Sequence, residues 1–98
     1  MKAKKVPLSV KRTVYERDNG QCQGCGRPVP FGPDPHHICF RSQARRDMVH
    51  RKENLVTLCY LCHQNAHLFA EHRRKWEEWS RKKYGDVIDQ IRGKENCS

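Results

Sequence analysis

The sequence is poor in the side chains that ordinarily close a small protein. Leu, Ile, Val and Phe together make up 18 of its 98 residues, and Trp adds only two. That is below the roughly 20% at which a highly charged chain is expected to be disordered. Charge is abundant: 20 Lys and Arg stand against 11 Asp and Glu, a formal net charge of +9. Either the chain is unfolded alone, or something other than hydrophobic burial holds it together. Long apolar runs are also missing. None approaches the ~18 residues of a membrane span, which excludes a membrane protein. After Met1, the basic residues Lys2, Lys4 and Lys5 lead into Val6-Pro7-Leu8-Ser9 and then charge again, so no signal peptide is expected. The length suits one domain. We place it at 9–92, between a basic tail (1–8) and a C-terminal tail (93–98). There is no low-complexity segment.

What is present in excess is cysteine and histidine, six of each. Four cysteines form two pairs, Cys22-x-x-Cys25 and Cys59-x-x-Cys62, separated by 33 residues. Without an export signal, a cytoplasmic, reducing compartment is expected, and structural disulfides are disfavoured there. Two C-x-x-C knuckles then read as four thiolates around one tetrahedral zinc. The alternatives are two disulfides or a redox-active C-x-x-C, and the latter needs a βαβ context that the pattern lacks. A structural zinc supplies ~10–16 kcal/mol of apparent binding free energy, against a typical domain stability of ~5–15 kcal/mol. That is enough to decide whether the chain folds. Cys39 reads as a buried small hydrophobe, and Cys97 as having no structural part.

The pattern along the chain is α+β. Ser9 is a candidate N-cap for a first helix ending near Asn19-Gly20. The stretch Arg27 to Pro35, with four prolines, is loop or extended. His36–Phe40 and Leu55–Leu58 read as short antiparallel strands, joined by an Arg-rich connection over 41–54. A long helix is predicted from Tyr60 to about Lys83, with Leu61, Leu68, His72, Trp76 and Trp79 as a mostly apolar stripe. Gly85 should end it, and Asp86–Ile91 could add one helical turn.

The histidines cluster around the second knuckle. Cys62 and His63 are adjacent, so on a helix they point about 100° apart and do not serve the same ion. His63 and His67, spaced i, i+4, share one helical face, a geometry suited to two imidazoles on one metal. In His36-His37, on an extended segment, the side chains point to opposite faces. One can bind a second metal while the other faces a different target. Asn54 could brace the loop that carries them. His50 and His72 read as surface or stripe residues.

Taken in order, C-x-x-C (22–25), His36-His37-Ile38, Glu53-Asn54-Leu55, C-x-x-C-H (59–63) and His67 resemble the HNH nucleases, the ββα-metal endonucleases. The resemblance spans about half the chain. It implies a small ββα-metal domain stapled by the four-cysteine zinc, with an N-terminal helix and a long C-terminal helix. It implies that His36 binds the catalytic metal, that His37 is the general base, and that Asn54 orients the base and its loop. It makes His63 a metal ligand, and His67 a third ligand as in the colicin-type nucleases. The expected activity is hydrolysis of DNA, by nicking or double-strand cleavage, with Mg²⁺, Mn²⁺ or Ni²⁺ and with 5′-phosphate and 3′-hydroxyl products. Small stand-alone members occur in bacteria and phages, where some assist genome packaging with the terminase. A terminase or other targeting protein is therefore a candidate partner.

The charge distribution suits this chemistry. Arg41, Arg45, Arg46, Arg51 and Lys52 lie between the histidine pair and Asn54. They are candidates for phosphate contacts that are salt-dependent and largely sequence-independent, with Arg41 the first choice for a clamp. A monomer of low sequence specificity is expected. The competing expectation is a non-catalytic zinc module that grips nucleic acid or protein. The second histidine cluster separates the two, because a pure binding module has no need of it.

Overall fold

A computed structural model describes residues 5–40 and 44–92. Arg41, the first choice for a phosphate clamp, and Cys97 lie outside the described residues. The element order is α1 (Leu8–Arg17), β1 (His36–His37), a single 3₁₀ turn (Lys52–Asn54), β2 (Leu55–Val56), α2 (Tyr60–Leu68), α3 (Ala70–Tyr84) and α4 (Val87–Arg92). β1 and β2 pair antiparallel, His36 opposite Val56 and His37 opposite Leu55. The architecture is the mixed α+β arrangement expected, a minimal two-stranded sheet against helices. No helix among the described residues is long and apolar enough to cross a membrane.

Three boundaries differ from the sequence expectation. Helix α1 starts two residues earlier than a Ser9 cap would place it: Pro7 holds the N-cap position and no side chain caps the helix. Proline's fixed φ, and the N–H it lacks where none is needed, suit a helix entrance. Val6, within the stretch read as tail, is buried beside Val14 and Leu55. The strands are shorter than expected, two residues each.

The long helix is broken. Phe69 is extended (φ −122°, ψ 125°) and separates α2 from α3. The apolar stripe breaks with it: Leu61 and Leu68 are 61% and 68% exposed, whereas Trp76 is 2% exposed. A straight helix over 60–83 would run about 36 Å. The break instead lets α3 fold back, so that Trp76 packs with Ile38, Val56, Ala66, Ile88 and Ile91 in the main core. Gly85 ends α3 at φ 79°, a left-handed conformation that suits glycine.

Arg17 ties α1 to this core. Its guanidinium pairs with both oxygens of buried Asp18 and donates to the carbonyls of Lys52 and Leu55 and to the Tyr84 hydroxyl. Asp18 in turn accepts from the Thr57 amide. Arg17 is therefore spent inside the fold.

Candidate active site and metal centres

Helix α2 carries one donor cluster toward the first knuckle and another toward β1. In the first, Cys22, Cys25, Cys59 and Cys62 bring one sulfur each to within 4.8 Å of one another. Cys25 and Cys59 Sγ lie 3.7 Å apart. That is far beyond the ~2.05 Å of a disulfide, and it matches the edge of about 3.8 Å that Zn–S bonds of ~2.3 Å give a tetrahedron. The disulfide alternative is thereby set aside for this arrangement. The loops are shaped for the task. The Gly24 amide donates to Cys22 Sγ (3.3 Å), and a Cβ on Gly24 would stand 2.9 Å from Cys62 Sγ. The Gln23 amide bonds the Thr57 carbonyl, seating the first knuckle against the end of β2.

The sulfurs also oppose one another electrostatically. Burial resists ionisation of Cys22, but backbone N–H groups of Cys59, Cys25 and Gly24 outweigh it and lower its thiol to about 6. Cys62 moves strongly upward through burial and through hydrogen bonding with Cys22 and Cys59. Four thiolates this close require a cation among them, and a zinc ion fits.

The second cluster is His36, His63 and His67, one ring nitrogen of each within 4.8 Å of the others. Helical spacing places His63 and His67 on one face of α2, and their Nε2 atoms are 3.1 Å apart. Two nitrogens each ~2.1 Å from one ion are separated by about 3 Å when they occupy adjacent octahedral positions. The His36 ring lies 5.0 Å from that of His63 and 5.4 Å from that of His67. His36 is 3% exposed, and neither of its ring nitrogens has a hydrogen-bond partner among the described residues. A buried polar atom left this way costs roughly 1–3 kcal/mol. A cation held by the three imidazoles would satisfy one of the two His36 nitrogens, so the donor set fits a divalent ion. Burial, then the neighbouring His63, His67 and His37, pushes His36 down to about 3. Burial, then His67, also lowers His63. His36 is thus neutral at pH 7, the form that ligates.

Phe40 stacks on His67, centroids 4.9 Å apart at 13°. Arg73 donates to the His67 carbonyl (2.9 Å) and sits over the Phe40 ring. The spacing gave no sign of these supports, because they depend on how the segment after β1 meets α2 and on where α3 returns after Phe69.

His37 faces the other way, as strand alternation requires. Its Nε2 lies 3.1 Å from Nδ1 of His50. The expectation of a surface role for His50 is corrected here: it is half-buried and bonded to His37. Nothing in the spacing pointed to it, because the path of the connection between the strands decides its position.

Asn54 is fully buried. Its Oδ1 accepts from the Cys39 amide (2.6 Å), and its Nδ2 donates to the carbonyls of Cys39 and Val49. It grips the backbone beside both His37 and His50 and bonds neither ring in these contacts.

The basic candidates are dispersed along the connection. Arg45 pairs with Asp47 (3.4 Å) and Arg51 with Glu53 (3.2 Å). Lys52 sits over the Tyr84 ring, and Arg46 is exposed. His50, Arg51 and Lys52 share an open depression with Ser9, Val10, Thr13 and Glu53.

The family model of the HNH endonucleases matches residues 22–68, from the first knuckle cysteine to the last residue of α2. No curated protein and no solved structure matches the chain.

Proposed function

From a chain whose residues 22–68 match the family model of the HNH endonucleases, we propose a metal-dependent endonuclease that hydrolyses DNA phosphodiester bonds with His37 as general base. His36 carries this proposal: a buried imidazole, unpartnered among the described residues, that faces two further imidazoles. His36, His63 and His67 would hold one divalent cation, Mg²⁺, Mn²⁺ or Ni²⁺. Such an ion supplies several kcal/mol of charge stabilisation at a scissile phosphate. Cys22, Cys25, Cys59 and Cys62 would hold zinc as a staple. A single-cation site follows from the donor set, since no carboxylate joins the imidazole cluster among the described residues. Asp34 is ion-paired with Lys11, and Asp47 with Arg45.

The chain's own work is proton transfer and positioning. A neutral imidazole has the basicity to take a proton from water at pH 7. His37 does so as the water oxygen bonds to phosphorus and the bond from phosphorus to the 3′ oxygen breaks, the leaving oxygen taking its proton from solvent. The products are a 5′-phosphate and a 3′-hydroxyl. Asn54 holds the backbone that carries the base. Arg45, Arg46, Arg51, Lys52 and Arg41 contact phosphates, which gives salt-dependent binding of low sequence specificity. The protein acts as a monomer, and a partner such as a terminase supplies targeting.

Supercoiled plasmid, incubated with purified zinc-loaded protein and each of the three metals, tests this directly. Open-circular or linear product should appear and be blocked by EDTA. His37→Ala should cut ~10²–10⁴-fold more slowly with its circular dichroism unchanged. Undiminished cutting by that variant would remove His37 from the mechanism. No cutting with any metal would favour the non-catalytic zinc module.

A further inference from the structure

His37 stands in β1, before the Arg-rich connection, and His50 lies within that connection, yet their rings meet. The Nε2 to Nδ1 distance is 3.1 Å, and the centroids are 5.2 Å apart with planes inclined at 55°. The meeting is built into the scaffold. Buried Asn54 bonds the backbone of Cys39, two residues after His37, and of Val49, immediately before His50. The Ile38 amide also bonds the Asn54 carbonyl (2.8 Å). One residue thus fixes the backbone on which both imidazoles stand.

We propose that His50 is the positioning residue of His37: Nδ1 of His50 accepts the Nε2–H of His37 and thereby holds its lone pair on Nδ1. This rests on His37 being the general base. A neutral imidazole carries one N–H and one lone pair, and the partner of one nitrogen decides where the lone pair stands. If His50 donated instead, the His37 lone pair would be engaged at Nε2 and Nδ1 would carry a hydrogen. In the proposed arrangement one water O–H bond breaks and one N–H bond forms at His37 Nδ1. His37 then carries the positive charge, and its Nε2–H still points at the His50 lone pair. His50 keeps its own hydrogen on Nε2 throughout.

The test uses the full zinc-loaded chain and plasmid DNA. His50→Phe keeps a ring and removes the acceptor, whereas His50→Asn returns an oxygen near the place of Nδ1. His50→Phe should lower kcat about 10–100-fold, the usual cost of losing an orienting partner, with KM for DNA and thermal melting unchanged. His50→Asn should recover most of the loss. Wild-type kcat in His50→Phe, a change confined to KM, or an Asn variant no better than Phe would each overturn the proposal. Nitrogen-15 spectra of the histidine rings decide it without activity. His37 should be protonated at Nε2, with that proton's signal altered in His50→Phe; a His37 protonated at Nδ1, or a spectrum indifferent to the substitution, would overturn the assignment. A wild-type protein that cuts nothing would sink the nuclease reading, while the ring spectra would still judge the histidine pair.

Discussion

The two sides of α2 carry clusters of similar tightness and opposite character. Four sulfurs surround one point and leave no position for anything else, as a closed structural site does. Three imidazoles surround another point, and a cation held there would keep coordination positions for outside ligands, as open sites do. The sulfur side joins chain segments 33 residues apart and shares its knuckle with the core through Gly24 and Trp76. The imidazole side joins only β1 and α2, and it leaves His36 buried with unpartnered nitrogens among the described residues. One cluster lowers the free energy of the fold when loaded. The other leaves buried His36 nitrogens unpartnered among the described residues, and a cation would engage one of them. In a small chain with little hydrophobic core, a zinc held by the four sulfurs would offset the cost of such a site one helical face away.

Four substitutions would break or sharpen that contrast. The largest effect belongs to the staple. Cys59→Ser should lose zinc and cooperative melting together, because ~10–16 kcal/mol of metal binding exceeds what a core this sparse supplies. A variant that melts like wild type by circular dichroism would contradict a structural zinc. Next, His63→Ala should keep its zinc and its fold but lose at least ~10²-fold in plasmid cutting, the equivalent of a few kcal/mol at the phosphate. Zinc content measured beside initial rates separates this outcome from unfolding. Third, His36→Leu removes the two unpartnered nitrogens. In zinc-loaded protein without a second metal, denaturant unfolding should show unchanged or higher stability, by up to ~1–3 kcal/mol; a marked loss would mean that His36 is satisfied in the fold and carries no penalty. The smallest effect is expected at Arg46. Arg46→Ala should weaken DNA binding evenly across sequences and reduce the salt slope by about 1, which fluorescence anisotropy over a salt series would measure.

Much of this was legible in the chain because its donors sit at spacings with one geometric meaning. C-x-x-C twice, a histidine pair in an extended stretch, and His63 and His67 one turn apart constrain direction as well as identity. The elements that carry them were legible too, although the strands proved shorter. What failed was continuity. Residues 60–83 contain neither Pro nor Gly, so no local signal marks the break at Phe69, and the helical pattern runs through it. No local pattern marked Arg17 as structural, yet Asp18, Leu55 and Tyr84 converge on it in the fold. His50 looked like solvent until the connection folded back.

Residue chemistry and spacing by themselves determined the two C-x-x-C knuckles, the His63–His67 pair, the α+β class and the strongly basic character, because each of these is written in composition or in neighbours within a few turns of chain. Only the tertiary structure decided that α3 turns back at Phe69 to bury Trp76, that Asn54 grips two distant backbones, and that His50 stands against His37. Those outcomes depend on contacts between segments far apart in sequence, whose free energy no local pattern records.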